Sequence, residues 1–83
     1  MKEKNLQELV EFVALSLVDQ PTQVNVVKHQ RGNSIQLELH VAKEDMGRVI
    51  GKGGRVANSI RTLLKVAAAR EGSRVNLDIV EPS

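Results

Sequence analysis

From Ser34 to Val41 polar and apolar residues alternate without a break: Ile35, Leu37, Leu39 and Val41 stand between Ser34, Gln36, Glu38 and His40. Successive side chains of a strand project to opposite faces, so this run predicts a strand with one dry face and one wet one. The dry face needs a cover. In 83 residues that cover must come from the same domain, because the chain is long enough for one core and too short for two.

The neighbouring segments supply candidates. Leu6, Leu9, Val10, Val13 and Leu17 recur at the spacing of one helix face, which predicts a helix over 4–18, ended by Asp19-Gln20-Pro21. Phe12 and Leu15 fall on its other side, either as a second contact surface such as a dimer interface or as two partly exposed apolar residues. A strand is expected over 22–29, with Val24 and Val26 facing one way, joined to 34–41 as an antiparallel hairpin through Gln30-Arg31-Gly32-Asn33. Residues 42–50 read as about two helical turns with Met46, Val49 and Ile50 as the apolar side, and Glu44-Asp45 as an acidic pair at the helix start. Residues 55–70 read as a longer helix with Val56, Ile60, Leu63, Leu64 and Ala67 buried, closed by Gly72. The last strand, Arg74 to Val80, should turn Val75, Leu77 and Ile79 inward. A strand-helix-helix-strand connection places it parallel to 34–41. The expected fold class is therefore α+β, in the order α-β-β-α-α-β, with three helices on one face of a mixed three-stranded sheet.

Between the two later helices lies Val49-Ile50-Gly51-Lys52-Gly53-Gly54-Arg55. Glycines let backbone approach a ligand closely, and the helix that follows aims its free N–H groups and positive dipole end into the turn. Charge collects there too. Residues 43–74 hold eight basic and three acidic side chains, a net of +5 in a chain whose total is only +2. Two nucleotide loops are excluded by residue identity. A triphosphate loop would need glycine at 46 and Ser or Thr at 53, where Met46 and Gly53 stand; a dinucleotide fingerprint from Gly51 would need glycine at 56, where Val56 stands. What remains is G-x-x-G, Gly51 to Gly54, read either as a backbone clamp for nucleic acid or as a helix-to-helix turn that merely needs glycine.

The run Val41 to Arg55, continued through Ile60-Arg61-Thr62-Leu63-Leu64-Lys65 and Glu71-Gly72-Ser73-Arg74-Val75 and preceded by Leu17-Val18-Asp19-Gln20-Pro21, closely resembles the KhpA family of small bacterial single-KH-domain RNA-binding proteins. The resemblance implies one type II KH domain over 1–83, with the extra helix and strand at about 4–29 and the core at about 34–80. It differs from the usual family pattern in Lys43, where proline is frequent, and in Gly53, where glutamine is frequent; Gly53 would make the loop more flexible. The resemblance implies a cytoplasmic protein that binds single-stranded RNA and acts on many transcripts or small RNAs, as a post-transcriptional regulator or RNA chaperone. It also implies association, as a homodimer or with a Jag-like KH protein, KhpB. The expected RNA-binding residues are Arg48, Val49, Ile50, Gly51, Lys52, Gly53, Gly54 and Arg55. Phosphates would meet the amides of Gly51 to Gly54, Lys52 and Arg55, and bases would lie on an aliphatic groove to which Val49 and Ile50 contribute, with Arg61 and Lys65 extending the positive field.

Other chemistry has little to draw on. Phe12 is the only aromatic residue, so bases cannot be held on a platform of rings. Zero cysteines and two histidines offer no metal-ligand set, no catalytic group stands out, and no cofactor is expected. The start, Met1-Lys2-Glu3-Lys4 followed by Glu8 and Glu11, is expected to be neither a signal peptide nor a membrane span. The alternative function is a protein-interaction or ribosome-assembly module that binds RNA weakly.

Overall fold

A computed structural model of the chain describes residues 3–82; Met1, Lys2 and Ser83, and with them the outer limits of the expected domain, lie outside the described residues. The elements run α1 (Glu3–Leu17), β1 (Asn25–Arg31), β2 (Ser34–His40), α2 (Met46–Ile50), α3 (Arg55–Ala69) and β3 (Arg74–Val80), with single 3-10 turns at Pro21–Gln23, Lys43–Asp45 and Lys52–Gly54. This is the order read from the sequence. No helix among the described residues is long and apolar enough to cross a membrane.

β2 lies in the middle of the sheet, antiparallel to β1 and parallel to β3. Ile35, Leu37 and Leu39 are buried as the alternation requires, and fully burying each such side chain stabilises the fold by about 1.5–3 kcal/mol. The helices meet this face with Leu6, Val10 and Ala14 of α1, Val49 of α2, and Ile60, Leu64 and Ala68 of α3.

β1 begins three residues later than expected and runs on to Arg31. Pro21 starts a 3-10 turn in which Val24 N–H donates to Pro21 O at 3.2 Å, and this turn consumes residues assigned above to the strand. The hairpin is correspondingly tighter: Arg31 pairs with Ser34, and Gly32, at φ 61°, occupies the first of two loop positions, as primed hairpin turns require.

The stripe of α3 is rotated from the one expected. Ala57, Ile60, Leu64 and Ala68 face the core, while Leu63 is 55% exposed and Val56 and Ala67 lie at its margin. Small side chains here let the helix lie close to the sheet. The helix closes as expected at Gly72, φ 69°, with Gly72 N–H donating to Ala69 O and Ser73 N–H to Ala68 O, the paired bonds of a Schellman cap.

The start of α2 also differs. Asp45 makes no cap bond to its own helix and is 1% exposed. Its Oδ1 accepts the Asp19 N–H at 3.0 Å and its Oδ2 the Gln20 N–H at 3.1 Å. Of the expected acidic pair, Glu44 remains outside and accepts from the Gln20 side chain at 2.7 Å.

Candidate nucleic-acid interface

Gly51 ends the short helix α2, its N–H bonded to Gly47 O at 2.9 Å, and then swings to φ 77° and ψ 171°. A Cβ built there would lie 2.4 Å from Val56 Cγ2 and 2.8 Å from the Val56 backbone nitrogen, so this position excludes any side chain. Gly54, at φ 79° and ψ 12°, is the left-handed residue from which α3 departs. The loop is thus pressed against the first turn of a 15-residue helix.

Not every loop amide is available. Gly51 N–H and Gly54 N–H are spent on Gly47 O and Gly51 O, and Arg55 N–H on Lys52 O. The amides of Lys52 and Gly53 donate to no acceptor among the described residues, so the expected set of four is reduced to these two at the exposed tip. The Lys52 and Arg55 side chains are exposed and have no acidic partner among the described residues. Two donors and two cations at the positive end of a helix dipole are groups that can receive an anion.

The other expected contacts are placed differently. Val49 is 0% exposed, a core residue held under α2, and so cannot line an open groove. Ile50 is half-buried against the same core and keeps part of its surface. Arg48 lies 2.8 Å from Asp19 Oδ2 and 3.4 Å from Asp45 Oδ1, where it neutralises those carboxylates instead of extending the loop's field.

A groove lies between α3 and the free edge of β3. Its hollow, about 380 Å³, is backed by Leu64, Val75 and Leu77 and bordered by Arg61 and Lys65 from α3 and by Gln36, Asn76 and Asp78 from the sheet. Arg61 is half-buried: its Nε donates to Leu77 O at 3.0 Å and its Nη1 to Asn58 Oδ1 at 3.2 Å. Lys65 is exposed and has no partner among the described residues. Asn58 shares the helix face of Arg61 three residues on, as the spacing gives; sequence reasoning missed Asn76 and the Leu77 carbonyl, because a strand edge carries no local signal until the fold sets it against α3.

The chain is similar to known proteins over most of its length. The family model described as KhpA/KhpB, KH domain, matches residues 7–79. The RNA-binding protein KhpA of Clostridium perfringens is 51% identical over 75 residues, 90% of this chain and 100% of that protein. Its counterpart in Halalkalibacterium halodurans is 45% identical over 76 residues, covering 92% and 100%. That of Caldanaerobacter subterraneus is 52% identical over 73 residues, covering 88% and 97%.

Proposed function

This chain belongs to the KhpA/KhpB KH-domain family, and from that premise we propose that it is a binding protein, not an enzyme, that holds single-stranded RNA through the Gly51–Gly54 loop. The observation that carries the reading is the pair of unspent amides at Lys52 and Gly53, set between the unpaired cations Lys52 and Arg55 at the start of α3. Such a site fits a phosphate, and phosphates recur along RNA whatever the bases. Bases would then lie in the groove beside Ile50, Arg61 and the β3 edge. Recognition weighted toward the backbone suits a cytoplasmic regulator or RNA chaperone that serves many transcripts. A single module of this kind touches about four nucleotides and binds weakly, with affinity that falls as salt rises.

The test is the double substitution Lys52→Asp with Gly53→Asp. Gly53 has no atom within 4 Å of an added Cβ, and its φ of 65° and ψ of 19° lie where aspartate is tolerated, so the fold should survive. Loss of RNA crosslinked in cells by ultraviolet light, with an unchanged circular-dichroism spectrum, is expected. Undiminished crosslinking by the folded variant would remove the loop from the site.

A second reading concerns partners. Phe12 and Leu15 on α1, and Leu63 and Val66 on α3, are exposed on two helices that pack together. We propose that a second copy of this chain, or a Jag-like KH protein (KhpB), covers them, which would join two weak RNA sites into one of useful avidity.

A further inference from the structure

Two basic residues outside the loop, Arg31 and Arg74, meet at the hairpin end of the sheet. Ser34 pairs with Arg31 on one side and with Arg74 on the other. Paired residues carry their side chains to the same face. Arg31 and Arg74 therefore flank the exposed Ser34 on the face that no helix covers, both exposed and both without an acidic partner among the described residues.

The free edge of β3 connects this pair to the groove. Arg74 N–H points toward β2, where it donates to Asn33 O at 2.8 Å. Alternate residues of a strand direct their backbone groups to opposite sides, which accounts for the Leu77 carbonyl meeting Arg61 on the outer edge. The groove does not stop at that edge: its lining includes Gln36 and Asn76 from the open face as well as Arg61 and Lys65 from α3. Asn76 also borders two adjoining hollows, one shared with Lys65 and Arg74 and the other with Arg31. Asp78 stands at the far end of the groove's lining and pairs directly with Glu38, so the open face repels phosphate farther from the hairpin and favours a path through Asn76.

Resting on the reading that the loop and groove hold RNA, we propose that the RNA strand leaves the groove by turning the edge of β3 at Asn76. It continues across the hairpin end of the open face, where Arg31 and Arg74 take further phosphates, so the site is longer than the loop and groove alone.

The test compares a degenerate tetraribonucleotide with the same probe carrying four abasic ribose phosphates at its 5′ or its 3′ end. Abasic additions supply charge and no bases, so a gain measures phosphate contacts. The full chain should bind one of the two extended probes more tightly than the bare one. The R31Q/R74Q variant, its fold checked by circular dichroism, should bind the bare probe as the parent does and lose that gain. Its slope of log affinity against log salt should fall by about 1.4, the value for two single-strand phosphate contacts. No gain from either extension, or an unchanged gain in R31Q/R74Q, overturns the extended track. The K52D/G53D variant separates this from failure of the underlying reading: if it binds the bare probe as tightly as the parent, the loop assignment falls and the track falls with it.

Discussion

Asp45 holds the backbone of a residue 26 positions earlier: its Oδ1 accepts the Asp19 N–H at 3.0 Å. The second oxygen takes the Gln20 N–H, and Arg48 approaches from the following turn. A buried carboxylate thereby fastens the exit of α1 to the start of α2, the helix that delivers the glycine loop.

Asp45→Ala is expected to destabilise the domain by about 2–4 kcal/mol, since it strands two N–H groups and removes the buried counter-charge of Arg48. Asp45→Asn keeps one acceptor oxygen and should cost less. Urea unfolding checks both, and an alanine variant within about 0.5 kcal/mol of the parent, the usual range for surface changes, would show the contact to be dispensable. Arg48→Ala, which removes a half-exposed guanidinium but leaves both amide bonds to Asp45 in place, should cost less than Asp45→Ala, about 1 kcal/mol.

Gly51→Ala and Gly53→Ala should differ. At Gly51 the new Cβ meets the Val56 backbone, so the loop must move, with an expected cost of about 1–3 kcal/mol and loss of RNA binding. At Gly53 the space is open and only the left-handed dihedral is penalised, by about 1–2 kcal/mol, with binding kept. Equal effects on RNA binding in titrations would contradict the packing against Val56.

Phe12→Glu and Leu63→Glu place a charge on side chains that are 70% and 55% exposed. Each should leave unfolding free energy within about 0.5 kcal/mol of the parent while weakening association. Sedimentation equilibrium of the chain alone and mixed with a KhpB-like partner reads the result. Unaltered association in both variants would place the interface elsewhere.

Arg61→Ala removes a charged donor from mid-groove and is expected to weaken RNA binding on the order of tenfold, about 1.4 kcal/mol. Lysine should not restore it, because one ammonium cannot reproduce the guanidinium fork that reaches both Leu77 O and Asn58 Oδ1. Full affinity in Arg61→Lys would assign the residue a purely electrostatic role.

Much of this architecture was legible in the chain. The β2 alternation appears as read because a half-buried strand has a strict period of two, and Gly72 closes α3 because only a left-handed cap ends it there. The stripe of α3 departs from its hydrophobic pattern at Leu63, since hydrophobicity favours leucine over alanine whereas close packing against the sheet selects Ala57 and Ala68. The start of β1 is not legible, because valine content does not reveal that Pro21 folds Thr22 and Gln23 into a turn. Within the candidate site, the glycines and Lys52 announce themselves by type and spacing. Val49 and Arg48 do not show in sequence that one is core and the other already neutralised, and Asp45 could not be told from an ordinary helix-start acid when its partners are backbone groups 25 and 26 residues away.

Among the described residues β3 has no neighbouring strand on its outer side, and an unpaired strand edge is a template onto which another chain can add. By occupying the Leu77 carbonyl, Arg61 interrupts that template near its centre. The side chain set at mid-groove therefore also guards against edge-to-edge aggregation, and Arg61→Ala should lower the concentration at which the protein stays soluble.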